Sequence, residues 1–405
     1  MNYTFIIFVF VKYIFELKNT TQSENRQTIA LNLENFVHEL IVESPGRINL
    51  IGEHIDYNGG HVLPAAIDKK IKLYLKRNNT RKCNVWSKNF DNGFSFSIDD
   101  VGISNVEWEN YILGVIHYID QIYPGSIHGF DCIVESELPM GSGLSSSAAL
   151  ECGIATGLNN LFAIGLTKDE IIHLSRDAEH NYVGTKCGIM DQFTVVRGQK
   201  DRLILLNCQN LEYRMIQADL EPYHLVLLNS NVSHNLASSE YNNRRADCEA
   251  ALAIIEKDHP NYHYLVDVPE DVLKSFKEDL TPTMFDRAAY VIQENRRTQL
   301  AAEALEKGFF EEFGRLLFES HHGLRNNYEV SCEELDFMVD YAKTQKGVLG
   351  ARMMGGGFGG CTINVVHKDE ISSYIERISI AYRKQFGIDL TPIEVSISDA
   401  VEVIK

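Results

Sequence analysis

The chain has no Cys-x-x-Cys pair: its eight cysteines, from Cys83 and Cys132 to Cys332 and Cys361, are scattered. Their spacing excludes a zinc site and a disulfide framework, and points to a reducing compartment. Basic residues are scarce, 38 against 56 acidic, for a formal net charge of −18. That surplus argues against nucleic acid and anionic membrane surfaces as partners. No Pro-rich linker, internal repeat or low-complexity block marks a domain boundary. No apolar run reaches the ~20 residues a membrane-spanning helix needs. The nearest, Tyr3 to Leu17, carries Lys12 and Glu16 and precedes no small-residue cleavage pattern. Residues 1–28 therefore read as a flexible extension, with an entry helix expected over Ile29 to Leu40.

What is present suits a globular enzyme. At 405 residues the chain exceeds one core and predicts about two domains, and 44% hydrophobic content supplies their interiors. Short β-like runs, Lys70 to Lys76 and Arg202 to Asn207, alternate with helical spacing over Thr167 to Asn181 and Asn295 to Glu319.

Three glycine-punctuated stretches carry the chemistry. In SPGRINLIGEHIDYNGG, Ser44 to Gly60, Arg47, Glu53, His54 and Asp56 fall within one turn-rich segment. Acceptor-only carboxylates beside a donor suit a polyhydroxylated ligand, because a site that leaves buried polar groups unpaired rejects the wrong epimer. Such residues also solvate ordinary loops, so the company they keep decides. PMGSGLSSSAALECGIATGLNNLF, Pro139 to Phe162, turns from small polar residues to apolar ones at Leu150, Ile154, Leu158 and Leu161. A loop feeding a helix start presents unsatisfied amides to an anion, and phosphate is the obvious guest. No Gly-Lys-Ser/Thr ending follows, so neutralisation falls to amides, hydroxyls and a metal. The third, GARMMGGGFGGCTINVV, concentrates glycine before a β-rich run at Cys361 to Val366, either for close approach to a ligand or for a tight strand connection.

In this order and spacing the three stretches resemble the motifs of the GHMP kinases. GRINLIGEHIDYNGG is similar to the galactokinase signature within that superfamily, as are KCGIMDQF at Lys186 to Phe193, NSNVSHNLASSEYNNRR at Asn229 to Arg245 and ESHHGLRNNYEVSCEELD at Glu319 to Asp336. Ile55 and Met354 stand where threonine is usual in that family. The resemblance implies an α+β, two-lobed fold: a lobe like ribosomal protein S5 domain 2 over 29–210 and a ferredoxin-like lobe over 211–405, with the site in the cleft between them. It further implies a cytoplasmic monomer that transfers phosphate from ATP to the anomeric hydroxyl of α-D-galactose with Mg²⁺.

The same resemblance suggests roles. Asp191 and Arg47 would be catalytic, with Asp191 either abstracting a proton or orienting and stabilising a loose transition state. Glu53, His54, Ile55, Asp56, Gly188 and Tyr241 would bind the sugar. Gly141, Ser142, Gly143, Leu144, Ser145, Ser146 and Ser147 would wrap the phosphates, with Ser87 a further nucleotide contact. Ser147 and Glu179 would hold the metal. Two other readings stay open: a kinase for N-acetylgalactosamine or arabinose, and a catalytically silent galactose sensor. Retention of Ser145, Ser146, Ser147, Ala148 and Asp191 favours an active enzyme.

Overall fold

In a computed structural model the protein is described at residues 36–139, 141–233 and 237–404. The expected extension, Tyr3 to Leu17 and most of the expected entry helix lie outside them. Where that helix should end, Leu40 instead opens the strand Leu40–Asn49. Leu40 and Val42 are buried while Ile41 and Glu43 are half-buried, the alternation of a strand with one face on a core.

Three sheets organise the described residues. The largest is six-stranded, in the order Glu402–Val403, Leu40–Asn49, Pro64–Arg77, Phe130–Ser136, Lys82–Ser87 and Asn92–Ser97. A four-stranded sheet orders Val348–Met353, Gly359–His367, Tyr223–Ser233 and Thr391–Glu394, and a three-stranded one orders His61–Val62, Arg202–Asn207 and Tyr213–Gln217. The strands expected at Lys70 to Lys76 and Arg202 to Asn207 are both found. The C-terminal tail does not stay with the second half of the chain. It returns to the first sheet, pairing Val42 with Val403, and thereby covers the free edge of Leu40–Asn49.

Helices pack on these sheets and aim the site. Helix Ser146–Phe162 lies on the first sheet, where Gly153 and Gly157 face Leu73, Leu75, Val42 and Ser44 too closely for a Cβ to fit without repacking. Helix Lys168–Ala178 starts from a capping box in which Thr167 and Glu170 exchange bonds. It continues into one π-helical turn, Glu179–Val183, which stops at Gly184 with φ +92°. The single helix expected over Asn295 to Glu319 is two, Pro282–Glu306 and Phe310–Asn326. Gly308, at φ +69°, reverses the chain between them. Apolar spacing runs across the break because both helices bury a face in one core.

Candidate active site

Strand Leu40–Asn49 delivers Arg47 into the cleft through a bulge between Pro45 and Arg47, and the Arg47 amide bonds the Leu144 carbonyl at 3.0 Å. The buried guanidinium grips Asp191 with both arms, Nε to Oδ1 at 2.7 Å and Nη2 to Oδ2 at 2.9 Å. Nη1 donates to the Gly143 carbonyl at 2.5 Å. Asp191 sits in the first turn of helix Met190–Arg197, also accepts from the Ser145 hydroxyl, and keeps part of its carboxylate open to the cleft. A bidentate fork of this kind fixes orientation as well as charge.

Beyond the strand the chain turns at Gly52, φ +102°, whose amide is held by Glu294 Oε1 at 3.1 Å from helix Pro282–Glu306. The Ile55 carbonyl accepts from the amides of Asn58 and Gly60, at 3.1 and 2.7 Å, and closes the turn. The Ile55 side chain points the other way: it is fully buried against Gly60 and does not line the cleft. Its neighbour Asp56 does, lying flush against Gly188, where a methyl group would fall within 2.6 Å of Oδ1 and closer to the rest of the carboxylate. Burial, reinforced by the charge of Asp191, pushes the Asp56 carboxyl up to about 6.

Glu53 and His54 are buried and heavily engaged. Glu53 Oε1 accepts from Arg352 Nη2 at 3.0 Å and from the Gly355 amide at 2.8 Å. Burial works to raise its carboxyl, but Arg352 and Arg47 outweigh it and hold it below the usual range. Arg352, itself fully buried, also donates to the carbonyls of Leu50, Asn49 and Met353, so it staples the glycine-rich third stretch to the signature turn. Met354 is buried beside it, its amide on Cys361. His54, at φ +62°, bonds Tyr57 through Nδ1 at 2.8 Å and the Gly356 carbonyl through Nε2 at 3.1 Å, and burial lowers its pKa to about 4. The Tyr241 ring packs 5.1 Å from the His54 ring and lines the same cleft.

Gly141 to Ser147 form the opposite wall of this cavity of ≈270 Å³. Gly141, Gly143 and Ser145 take φ +66°, +74° and +56°, bending the loop into the helix start. Gly143 approaches the Met354 carbonyl, so the second and third glycine stretches touch here. The Leu144 side chain is buried; its contribution to the wall is backbone. Glu179, placed by the π-turn, is buried, bonds Ser147, and accepts from Gln192 at 2.9 Å and from the Cys187 thiol at 3.6 Å. Burial and then the Asp191 charge push its carboxyl up to about 7. Among the described residues no group of three His, Cys, Asp or Glu side chains could hold a metal ion. A hydroxyl and a single carboxylate suit a cation that keeps waters and phosphate oxygens.

Past the loop a second cavity of ≈350 Å³ shares Tyr111, Gly141, Ser146 and Ser147 with the first. Ser87 lines it, buried, with Phe90, Trp108 and Leu150. The rings of Phe90 and Trp108 lie 5.6 Å apart. Of the residues expected at the site, all but Ile55 converge on these two joined cavities. Sequence reasoning missed Arg352, Tyr57 and the Phe90–Trp108–Tyr111 wall. Arg352 stood inside the quoted third stretch and Tyr57 inside the first, so a charged or phenolic side chain among glycines was the available signal; the aromatic wall had none.

Residues 34–77 match the galactokinase galactose-binding signature, 110–199 the GHMP kinases N terminal domain and 301–384 the GHMP kinases C terminal domain. The chain is 42% identical to a galactokinase of Thermotoga maritima over 371 residues, covering 90% of this chain and 99% of that protein. It is 39% identical to one from Clostridium acetobutylicum, over 91% of this chain and 95% of the relative. Among solved structures it resembles Lactococcus lactis galactokinase complexed with galactose, with TM-score 0.87 and 34% identity over 90% of this chain and 95% of that one. It shares the fold alone with the mevalonate kinase of Methanococcus jannaschii, TM-score 0.63 at 19% identity over 90% of this chain and all of that one.

Proposed function

We propose, since the chain belongs to the galactokinase family of the GHMP kinases, that the joined cavities bind galactose and ATP and that phosphate passes to the anomeric hydroxyl, giving galactose 1-phosphate and ADP. The observation that supports this most is the Arg47–Asp191 pair in the first cavity, which residues of both the signature turn and the serine-rich loop line with it.

In this reading Asp56, Glu53, His54, Gly188 and Tyr241 receive the sugar, and Ile55 supports them from the core without contact. Asp56 is the cleft carboxylate least committed to protein donors: it accepts only backbone amides, those of Tyr57 and of Met190, the latter at 3.5 Å. It is therefore the group best able to accept from sugar hydroxyls and to tell an axial from an equatorial one. The loop from Gly141 to Ser147 receives the phosphates, and the Phe90–Trp108 cavity takes the apolar base. Ser147 and Glu179 would hold Mg²⁺, which neutralises phosphate charge when bound.

At the reacting end Asp191 orients the anomeric hydroxyl and takes its proton. Three donors hold the carboxylate in place, two from Arg47 and one from Ser145, so little reorganisation accompanies the transfer. The remaining guanidinium charge of Arg47 faces the phosphoryl group as the bond to ADP breaks. The protein acts as a cytoplasmic monomer in this scheme. The test is ATP-dependent phosphorylation of galactose, N-acetylgalactosamine, arabinose and glucose, with Asp191→Asn in parallel. Turnover of galactose well above the others, and a fall of roughly 10² to 10⁴ in kcat for the variant, are expected. Equal turnover of glucose and galactose would overturn the role given to Asp56.

A further inference from the structure

Tyr241 lines the cleft from helix Ala237–Ile255, and two residues just after it reach to the segment Gly184 to Gly188. That segment joins the π-turn of Glu179 to helix Met190–Arg197 and is itself neither helix nor strand. One backbone bond closes within it, from the Cys187 amide to the Thr185 carbonyl at 2.9 Å. Side chains supply the rest of its hold. Asn242 uses both ends of its amide: Oδ1 accepts from the Lys186 amide and Nδ2 donates to the Gly184 carbonyl, each at 3.0 Å. Arg245 Nη1 donates to the carbonyls of Lys186 at 3.0 Å and Cys187 at 3.3 Å, and the His180 ring bonds the Cys187 carbonyl at 2.7 Å. The same guanidinium pairs with Glu249 through Nε at 2.7 Å and lies 5.7 Å from the ring of Tyr57 in the signature turn. Tyr57 in turn packs 5.6 Å from Tyr241, ring to ring. Neither Asn242 nor Arg245 lines the joined cavities, yet the segment they hold does, through Thr185, Cys187 and Gly188.

We propose that Asn242 and Arg245 are positioning residues that tie the segment Gly184 to Gly188 to the helix carrying Tyr241, and so set the gap between Asp56, Gly188 and Tyr241 in which the sugar is read. The proposal deepens the reading of this cavity as the sugar site and rests on it. A carboxylate tells an axial from an equatorial hydroxyl only while its place against the neighbouring walls is fixed, because a hydrogen bond weakens steeply as it lengthens or bends. Gly188 is the surface on which Asp56 rests, so whatever fixes Gly188 fixes that carboxylate. Asp191 is held separately, by Arg47 and Ser145. Loosening the segment should therefore reach sugar affinity before chemistry.

Hydrogen exchange tests the tie without reference to any sugar. Arg245→Met removes a donor to two carbonyls and touches no amide of the segment, so a change in amide exchange there reports the segment's own freedom. Peptides spanning residues 184–189 should exchange at least ~5-fold faster than in the unmutated protein, while those within helix Met190–Arg197 stay within about twofold. Unchanged exchange in the segment, or equal acceleration in the helix, would overturn the tie. In kinetics, Arg245→Met and Asn242→Ala should each raise the galactose KM by ~10-fold with kcat held within about threefold, the pattern of lost binding in place of lost chemistry. For 4-deoxygalactose, which lacks the hydroxyl that separates the epimers, the same variants should change KM by less than about twofold. An equal rise for both sugars, or a fall in kcat with KM unchanged, would overturn the positioning role. Asn243→Ala, exposed on the same helical turn, should leave exchange and KM as they are. A KM rise there matching Arg245→Met would trace the effect to the helix as a whole and overturn the assignment to these two side chains. Equal KM values for galactose and 4-deoxygalactose in the unmutated protein would instead overturn the sugar reading of Asp56, and the KM expectation with it, while exchange still decides the tie.

Discussion

Gly188→Ala displaces one carboxylate without mutating it. Gly188 does not require positive φ, so alanine costs no backbone strain; its added methyl meets the Asp56 carboxylate first. The nearest three atoms are all in that group, Oδ1 at 2.6 Å being the most distant of them. To reach ordinary contact the carboxylate must withdraw by about 1 Å or more. Hydrogen bonds aimed at a charged acceptor contribute about 1.5–3 kcal/mol each, so losing one weakens galactose binding roughly 10- to 100-fold. Folding stability should change little, because Asp56 is half-buried and gains hydration as it moves. The assay is calorimetric titration with galactose, alongside urea unfolding of both proteins. The fall in affinity should disappear when Gly188→Ala is combined with Asp56→Ala, since the carboxylate is then absent. Galactose affinity within twofold of the unmutated protein would refute the placement of Asp56. So would a large affinity loss that persists in the double variant.

Three other expectations follow from the cleft. Asp56 carries a carboxyl raised to about 6, so its native form binds protons more tightly than the unfolded chain. The resulting penalty is absent below pH ~4, grows as pH rises, and is complete above pH ~6; Asp56→Asn should therefore gain stability relative to the unmutated protein across that window in urea titrations. Galactose affinity should move oppositely, falling as pH drops through 6, with the slope absent in Asp56→Asn. Arg352→Met leaves Glu53 buried without its cation and should destabilise by roughly 3–5 kcal/mol, read as a lower urea midpoint, whereas Arg352→Met with Glu53→Leu should recover much of it. Trp108→Ala opens the aromatic cavity and should raise the ATP KM by ~10-fold while leaving the galactose KM within twofold; equal changes in both would refute a base site there.

How legible the protein is from its sequence depends on how far apart in the chain the cooperating residues lie. Strand and helix expectations held where one face is buried at a regular period, as at Arg202–Asn207. They failed where a signal is shared: the apolar stripe over residues 295–319 continues through Gly308 because two helices face one interior. At Leu40 the alternation of a half-buried strand outweighed helical spacing.

Sequence by itself determined the chemical inventory and its local geometry. The signature turn, the serine-rich loop and Asp191 are short segments whose glycines and polar side chains carry their meaning within a few residues. Tertiary structure alone decided the pairings: Glu53 with Arg352, Asp56 with Gly188, Tyr57 with Tyr328, and Ser87 with the Phe90–Trp108 wall. It also turned Ile55 inward and brought the C-terminal strand back to the first sheet. The reason is physical. Periodicity and turn chemistry act between neighbours along the chain, whereas a buried charge or a directed hydrogen bond is satisfied by whichever group packing brings near, often hundreds of residues away.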